Sequence, residues 1–293
     1  MTLFALFLVL TAAVLHATWN LAAKRAGSGG MPFIFLAGIV IVILYTPVLA
    51  IYAWIWRPEI TGPMLGVIVV SGMLKSVYAV CLQRAYRAGD FSLIYPLARG
   101  TGPLLATLIA MVFLGERPSL LALAGGLLIV ASIFFLTGGD RWLRRQSPLS
   151  GAQSAIAIRY GLLSGCFIAT YTVWDRFGVS RLHIPPIVFD GGTAITTLAL
   201  LAPFAWPRRA AVREQWRIHR REALVMAVFS STGYVLVLTA MKFTPVSYVA
   251  PAREFSILFG AVFGAKLLGE AESPRRLRAA AGMVIGLIAL ALG

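Results

Sequence analysis

Apolar residues fill this chain in long blocks separated by short polar breaks. Ten blocks can be drawn, at roughly 2–23, 32–56, 64–86, 92–114, 119–138, 155–178, 185–206, 222–242, 247–268 and 276–292. Each is close to the ~20 residues that a helix needs to cross a bilayer. The pattern predicts helices throughout, because an open sheet cannot satisfy its backbone hydrogen bonds in lipid. Only 139–154 and 207–221 are long connections. Prolines mark many block ends, whereas Pro96, Pro103 and Pro251 fall inside blocks and predict kinks or freed carbonyls.

The blocks repeat after five. Trp19 pairs with Trp174, Ser92 with Ser247, Arg99 with Arg253 and Gly115-Glu116 with Gly269-Glu270, always 154 or 155 positions apart. In both copies an arginine precedes the glutamate by 17 positions. Five is odd, so the second copy is expected to enter the membrane from the opposite side. The expected architecture is an all-α integral membrane protein of ten transmembrane helices in two inverted repeats. Residues 1–139 form the first repeat, 140–154 a basic linker and 155–293 the second repeat. Inverted repeats of this kind are a transporter architecture, with the solute site at the repeat interface.

Composition agrees with the block pattern. Of 293 residues, 59% are hydrophobic and only 13% charged, about half the charge of a soluble domain. The net charge of +15 would suit nucleic-acid binding in a soluble chain. Here most cations flank the apolar blocks, where orientation and lipid headgroups account for them, so no nucleic-acid partner is expected. Lys24, Arg25, Arg84, Arg144, Arg208, Arg213, Arg220 and Arg276 all sit at the connections after odd-numbered blocks. Their excess places those connections in the cytoplasm and both termini outside it. The Trp206–Arg221 stretch reads as an interfacial segment. Thr2 to Ala23 reads as a first span rather than a signal peptide, since it lacks a basic leading region. Cys81 and Cys166 lie in apolar blocks and have no metal or disulfide spacing.

No phosphate-binding loop, metal-ligand spacing or nucleophile elbow is present, so neither an enzyme, a cofactor nor a metal is expected. The strongest remaining signal is charge inside the apolar blocks, which is costly and usually faces a cavity. Lys75 lies about 15 Å into the third block, Arg99 about 9–10 Å into the fourth and Arg253 about 9 Å into the ninth. The inversion predicts that the two arginines straddle the membrane midplane. Glu254 is read as the one carboxylate of comparable depth. Three cations facing one anion predict a site that prefers anionic groups, which guanidinium grips in a fork. The opposing expectation is that Arg253 pairs with Glu254 while Lys75 and Arg99 reach to the membrane surface.

Helical spacing adds neighbours. Tyr78 shares a face with Lys75, and Tyr95 with Arg99. His16, Trp19 and Asn20 form one i, i+3, i+4 cluster, and Tyr171, Trp174 and Asp175 form its counterpart. Either cluster can line a vestibule, although Trp19 and Trp174 also suit interfacial anchoring. Asp175 beside Arg176 reads as a solvated pair at a helix end. Gly115-Glu116 and Gly269-Glu270 read as helix-ending glycines followed by a carboxylate near the next helix's start. Gly260-xxx-Gly264 and Gly282-xxx-Gly286 allow close helix approach.

Ten helices in two halves, with Tyr95-Pro96-Leu97-Ala98-Arg99 and the paired Leu-Gly-Glu corners at 114–116 and 268–270, resemble the EamA family of the drug/metabolite transporter superfamily. His16-Ala17-Thr18-Trp19-Asn20 with Lys24 resembles a bacterial subgroup associated with phosphonate use. The resemblance implies a helical basket around a cavity lined by helices 1, 3, 4, 6, 8 and 9, with helices 5 and 10 peripheral. It also implies a monomer or homodimer in a bacterial inner membrane, in contact with lipid. Family members are often drawn with cytoplasmic termini, and the loop charges of this chain point the other way. The function expected is alternating-access transport of a small polar, anionic metabolite bearing a phosphonate or carboxylate. An exporter of amphipathic amino acids or drugs, and a non-transporting membrane scaffold, are the alternatives.

Overall fold

A computed structural model describes residues 1–26, 30–88, 91–136, 151–268 and 274–293. Among them there are eleven α-helices and no strand. They are α1 (Leu3–Arg25), α2 (Gly30–Trp56), α3 (Gly62–Ala88), α4 (Phe91–Phe113), α5 (Leu120–Leu136), α6 (Gly151–Ser180), α7 (Pro186–Ala205), α8 (Arg209–Met241), α9 (Val246–Arg253), α10 (Phe255–Leu268) and α11 (Pro274–Leu292). Leu3–Arg25, Gly30–Trp56, Gly62–Leu82 and part of Pro186–Met241 are long and apolar enough to cross a membrane. Ala98–Phe113, Leu120–Leu136 and Leu277–Leu292 are shorter apolar helices. The outer surface carries large apolar side chains, such as Leu3 at 85% and Trp54 at 77% exposure, which only a lipid surround makes tolerable.

Two elements depart from the block pattern. The ninth block is not one rod: α9 ends at Arg253, Glu254 forms a turn, and α10 begins at Phe255. Pro251, three residues before the break, has no N–H to donate to the preceding turn. By contrast α4 runs unbroken through Pro96 and Pro103. The basic stretch expected as a connection at 207–221 is helical, forming the start of α8, with a kink at His219 (φ −120°, ψ 29°). Its helix formers and the burial of Val212 against α2 and α7 explain the winding. Trp216 and Ile218 stay exposed on its outer side, as in a segment lying at a membrane surface.

Packing follows small residues. A Cβ on Gly125 of α5 would stand 2.5 Å from the Gly286 carbonyl oxygen of α11, so these two helices touch backbone to backbone. The Gly282/Gly286 spacing therefore serves contact within the chain, whereas Gly260 faces open space. Helices α4 and α3 pack on α6, and α1 packs on α8 and α10. The Met1 ammonium donates to the Ala291 carbonyl at 3.1 Å, and Tyr248 Oη donates to the Gly293 carbonyl at 3.2 Å. Both termini therefore sit at one end of the bundle. The Gly115 corner is at the same end, because the Ser119 N–H reaches the Tyr248 hydroxyl at 3.4 Å.

Candidate functional site

Two clusters of buried charge lie inside the bundle. The first forms around the helix break. Arg99 of α4 places Nε 3.0 Å from Glu254 Oε2, and Arg253 places Nε 3.8 Å from Glu254 Oε1. A second nitrogen of Arg99 donates to Ser256 Oγ at 3.3 Å and lies 3.4 Å from His16 Nε2. Glu254 is 0% exposed and Arg253 5%. Neither Glu254 oxygen accepts an aligned hydrogen bond, and Arg253 Nε has no acceptor. The contacts are ion pairs at close range without hydrogen-bond geometry. The break supplies part of the electrostatics: Glu254 directly precedes the first turn of α10, and Arg253 ends α9, so both helix dipoles favour the charges they meet.

This arrangement corrects the expectation that the arginines are separated across the midplane. Both guanidiniums reach toward one carboxylate. It also divides the opposing expectation: Arg253 does pair with Glu254, but Arg99 pairs with it too and does not reach for the surface.

The second cluster centres on Lys75 of α3. Its Nζ lies 3.1 Å from Asp175 Oδ2 of α6 and donates to Thr193 Oγ1 of α7 at 3.3 Å. The ammonium stands 4.2 Å from the Tyr234 ring centre and 5.8 Å from those of Tyr171 and Phe189. Asp175 also accepts from Ser71 Oγ at 2.5 Å and from the Tyr234 hydroxyl. Asp190 of α7, 7% exposed, lies within electrostatic reach of Lys75, and its Oδ2 is buried with no hydrogen-bond partner. The reading of Asp175 as a solvated end-of-helix pair is therefore wrong. The residue is 0% exposed, because α6 continues to Ser180 and carries it into the bundle. Glu254 is likewise not the only deep carboxylate.

The other expected residues divide. Tyr171 and Tyr78 join the lysine cluster, their rings 5.9 Å apart at 60°. His16 joins the arginine cluster and Trp19 packs edge-on against its ring at 4.7 Å, while Asn20 merely donates to the His16 carbonyl of its own helix. Trp174 points elsewhere: its indole N–H donates to the Val67 carbonyl at 2.9 Å, fastening α6 to α3. Tyr95 lies in α4, but its side chain is outside the described residues. Asp190, Tyr234, Thr193 and Ser256 were missed. Asp190 had a legible signal, since five residues into its block is about 7.5 Å of depth, hardly less than Arg99.

A fourth carboxylate, Glu116, has a buried side chain but belongs to a different structure. Gly115 (φ +68°) ends α4 as expected, but Glu116 does not serve the start of α5. Its oxygens accept from the backbone N–H groups of Val246 (2.8 Å) and Ser247 (2.9 Å) and from Ser247 Oγ (2.8 Å), capping α9. Arg176 Nε adds an ion pair to Glu116 at 3.1 Å and its guanidinium donates to the Met241 and Thr244 carbonyls, closing off α8. A cavity of about 230 Å³ opens beside this knot, lined by Glu116, Arg176, Arg181 and Lys242. The matching Gly269-Glu270 corner lies outside the described residues.

The profile of the EamA-like transporter family matches this sequence twice, over residues 3–138 and 155–292. The chain belongs to that family. The pseudopaline exporter CntI of Pseudomonas aeruginosa, from strains UCBPP-PA14 and PAO1, is 27% identical over 242 residues, covering 78% of this chain and 74% of that protein. A solved crystal structure superposes with a TM-score of 0.75 at 19% identity, covering 98% of both chains, and establishes likeness of fold alone. With its apolar helices, this EamA-family chain is a multi-pass membrane protein and a small-molecule transporter.

Proposed function

We propose that this chain is a secondary transporter that moves a small polar solute bearing an anionic group, a phosphonate or carboxylate, by alternating access. Two inverted five-helix halves, 1–139 and 155–293, rock about the charged clusters, and 140–154 links them across the cytoplasmic face of a bacterial plasma membrane. Ten spans, extracytoplasmic termini and a monomer or homodimer without nucleic-acid partners complete the reading.

The observation that carries it is Arg253. A buried guanidinium lies 3.8 Å from a carboxylate that is closer to Arg99, and its Nε lacks an acceptor. A solute carboxylate or phosphonate supplies that acceptor, and the low-polarity surroundings make the contact strong. Export is the direction favoured by the relatives named as pseudopaline exporters.

The test is solute counterflow in proteoliposomes with wild type, Arg99→Gln and Arg253→Gln. Arg253→Gln is expected to lower counterflow of anionic solutes at least about tenfold, the scale of one charge-assisted hydrogen bond. Equal transport of cationic and anionic solutes, unchanged in both variants, would refute the anion preference.

A further inference from the structure

The two charged clusters carry opposite surpluses. At the helix break two guanidiniums, Arg99 and Arg253, lie against one carboxylate, Glu254. Around Lys75 there are two carboxylates for one ammonium: Asp175 pairs with it at 3.1 Å, and Asp190 lies within its electrostatic reach. Buried charged atoms without an aligned hydrogen bond occur in both: Arg99 Nε, Arg253 Nε and the two Glu254 oxygens, which meet one another as ion pairs, in the first, and Asp190 Oδ2 in the second. Asp175 is by contrast fully engaged, by Lys75, Ser71 and Tyr234. Tyr171 and Tyr234 join the clusters: Lys75 lies over both rings, and both tyrosines are within electrostatic reach of Arg253. Two tyrosines thus stand close to both clusters, one with a surplus cation and the other with a surplus anion.

We propose that Asp190, backed by the Lys75–Asp175 pair, is a cation subsite opposite the Arg253 anion subsite, so that the transported solute is a zwitterion carrying an amine at one end and an acid group at the other. This rests on the transport reading above and narrows its substrate class. Burying a single unpaired charge is costly, and a zwitterion completes both clusters at once while adding no net charge to the bundle. The donor set favours an organic ammonium over a metal ion. Aromatic faces attract an ammonium. A hard divalent cation wants about six oxygens, and Lys75 already occupies Asp175.

Lys75 from α3, Asp175 from α6, Ser231 from α8 and Tyr45 from α2 lie within electrostatic or hydrogen-bonding reach of Asp190. Lys75, the cation among them, is paired with Asp175 at 3.1 Å and leaves Asp190 Oδ2 without a hydrogen-bond partner.

The experiment uses the full chain in proteoliposomes and matched probes that differ only in the amine: 3-aminopropanoate against propanoate, and 2-aminoethylphosphonate against ethylphosphonate. Wild type is expected to prefer the amine-bearing member of each pair about tenfold or more in competition of counterflow. Asp190→Asn should bring that ratio close to one, chiefly by weakening the amine-bearing members, and Asp190→Glu should recover part of the preference. Arg253→Gln should weaken both members together.

Equal use of both members by wild type overturns the zwitterion and leaves the anion reading standing. Use of no probe at all overturns both readings. If Asp190→Asn keeps the amine preference but abolishes the pH dependence of ethylphosphonate counterflow, the occupant of the subsite is a proton and the proposal fails. An Asp190→Asn variant that weakens each amine-free probe as much as its amine-bearing partner, with the thermal midpoint unchanged, overturns it as well, because Asp190 would then not read the amine.

Discussion

Glu116 and Glu254 are both glutamates whose side chains are buried beside arginines, and they could hardly be used more differently. Glu116 accepts two backbone N–H groups and a hydroxyl, and its arginine partner is itself tied to two carbonyls. Glu254 has two guanidiniums within 4 Å and no aligned hydrogen bond. A carboxylate whose every lone pair is directed holds one arrangement and resists change. One held by charge alone tolerates rotation and can exchange partners at small cost. The comparison separates the fastening of the bundle from its working part.

The largest effect is expected where the fastening is cut. Glu116→Ala strands the first N–H groups of α9 and the Arg176 guanidinium, and should cost about 3–5 kcal/mol, the usual loss on removing one partner of a buried pair. A thermal unfolding midpoint in detergent checks this, and a variant as stable as wild type would dissolve the distinction drawn here. Next is Glu254→Gln, which should suppress counterflow by about a hundredfold while lowering the midpoint less than half as much as Glu116→Ala, because no directed bond is broken. If the two variants lose stability equally, Glu254 is structural as well. The smallest effect is expected of Trp174→Phe, which deletes one N–H···O bond to Val67 and should cost about 1 kcal/mol with solute preference unaltered. A changed preference would return Trp174 to the site.

How much could be read beforehand follows the same division. The apolar blocks carry the helices, since bilayer length is a property of local composition, and α1, α2 and α5 fall within a few residues of their expected limits. Lys75, Arg99, Arg253 and Glu254 stand out for a similar reason: charge within such a block is rare enough to be conspicuous alone. Partnership was legible only for the adjacent Arg253 and Glu254. Asp175 beside Arg176 looks like a neighbouring pair, yet consecutive helix positions point in different directions, and the two residues join different clusters. Glu116 reaches across to a helix 130 positions away, a distance that no local spacing encodes. Trp174 was ambiguous because an indole suits a membrane surface and a carbonyl acceptor equally well, and only the approach of α3 decides.

The turn at Glu254 makes a pivot of a pair of charges. Glu116 anchors the start of α9, whose last residue is Arg253, and α10 leaves on the far side of Glu254 carrying Ser256, which holds Arg99. Any swing of α10 against the anchored α9 must therefore first change the distances among Arg253, Glu254 and Arg99. Whatever occupies those arginines acts at the fulcrum of the lever, where a small force on the charges becomes a large displacement at its end.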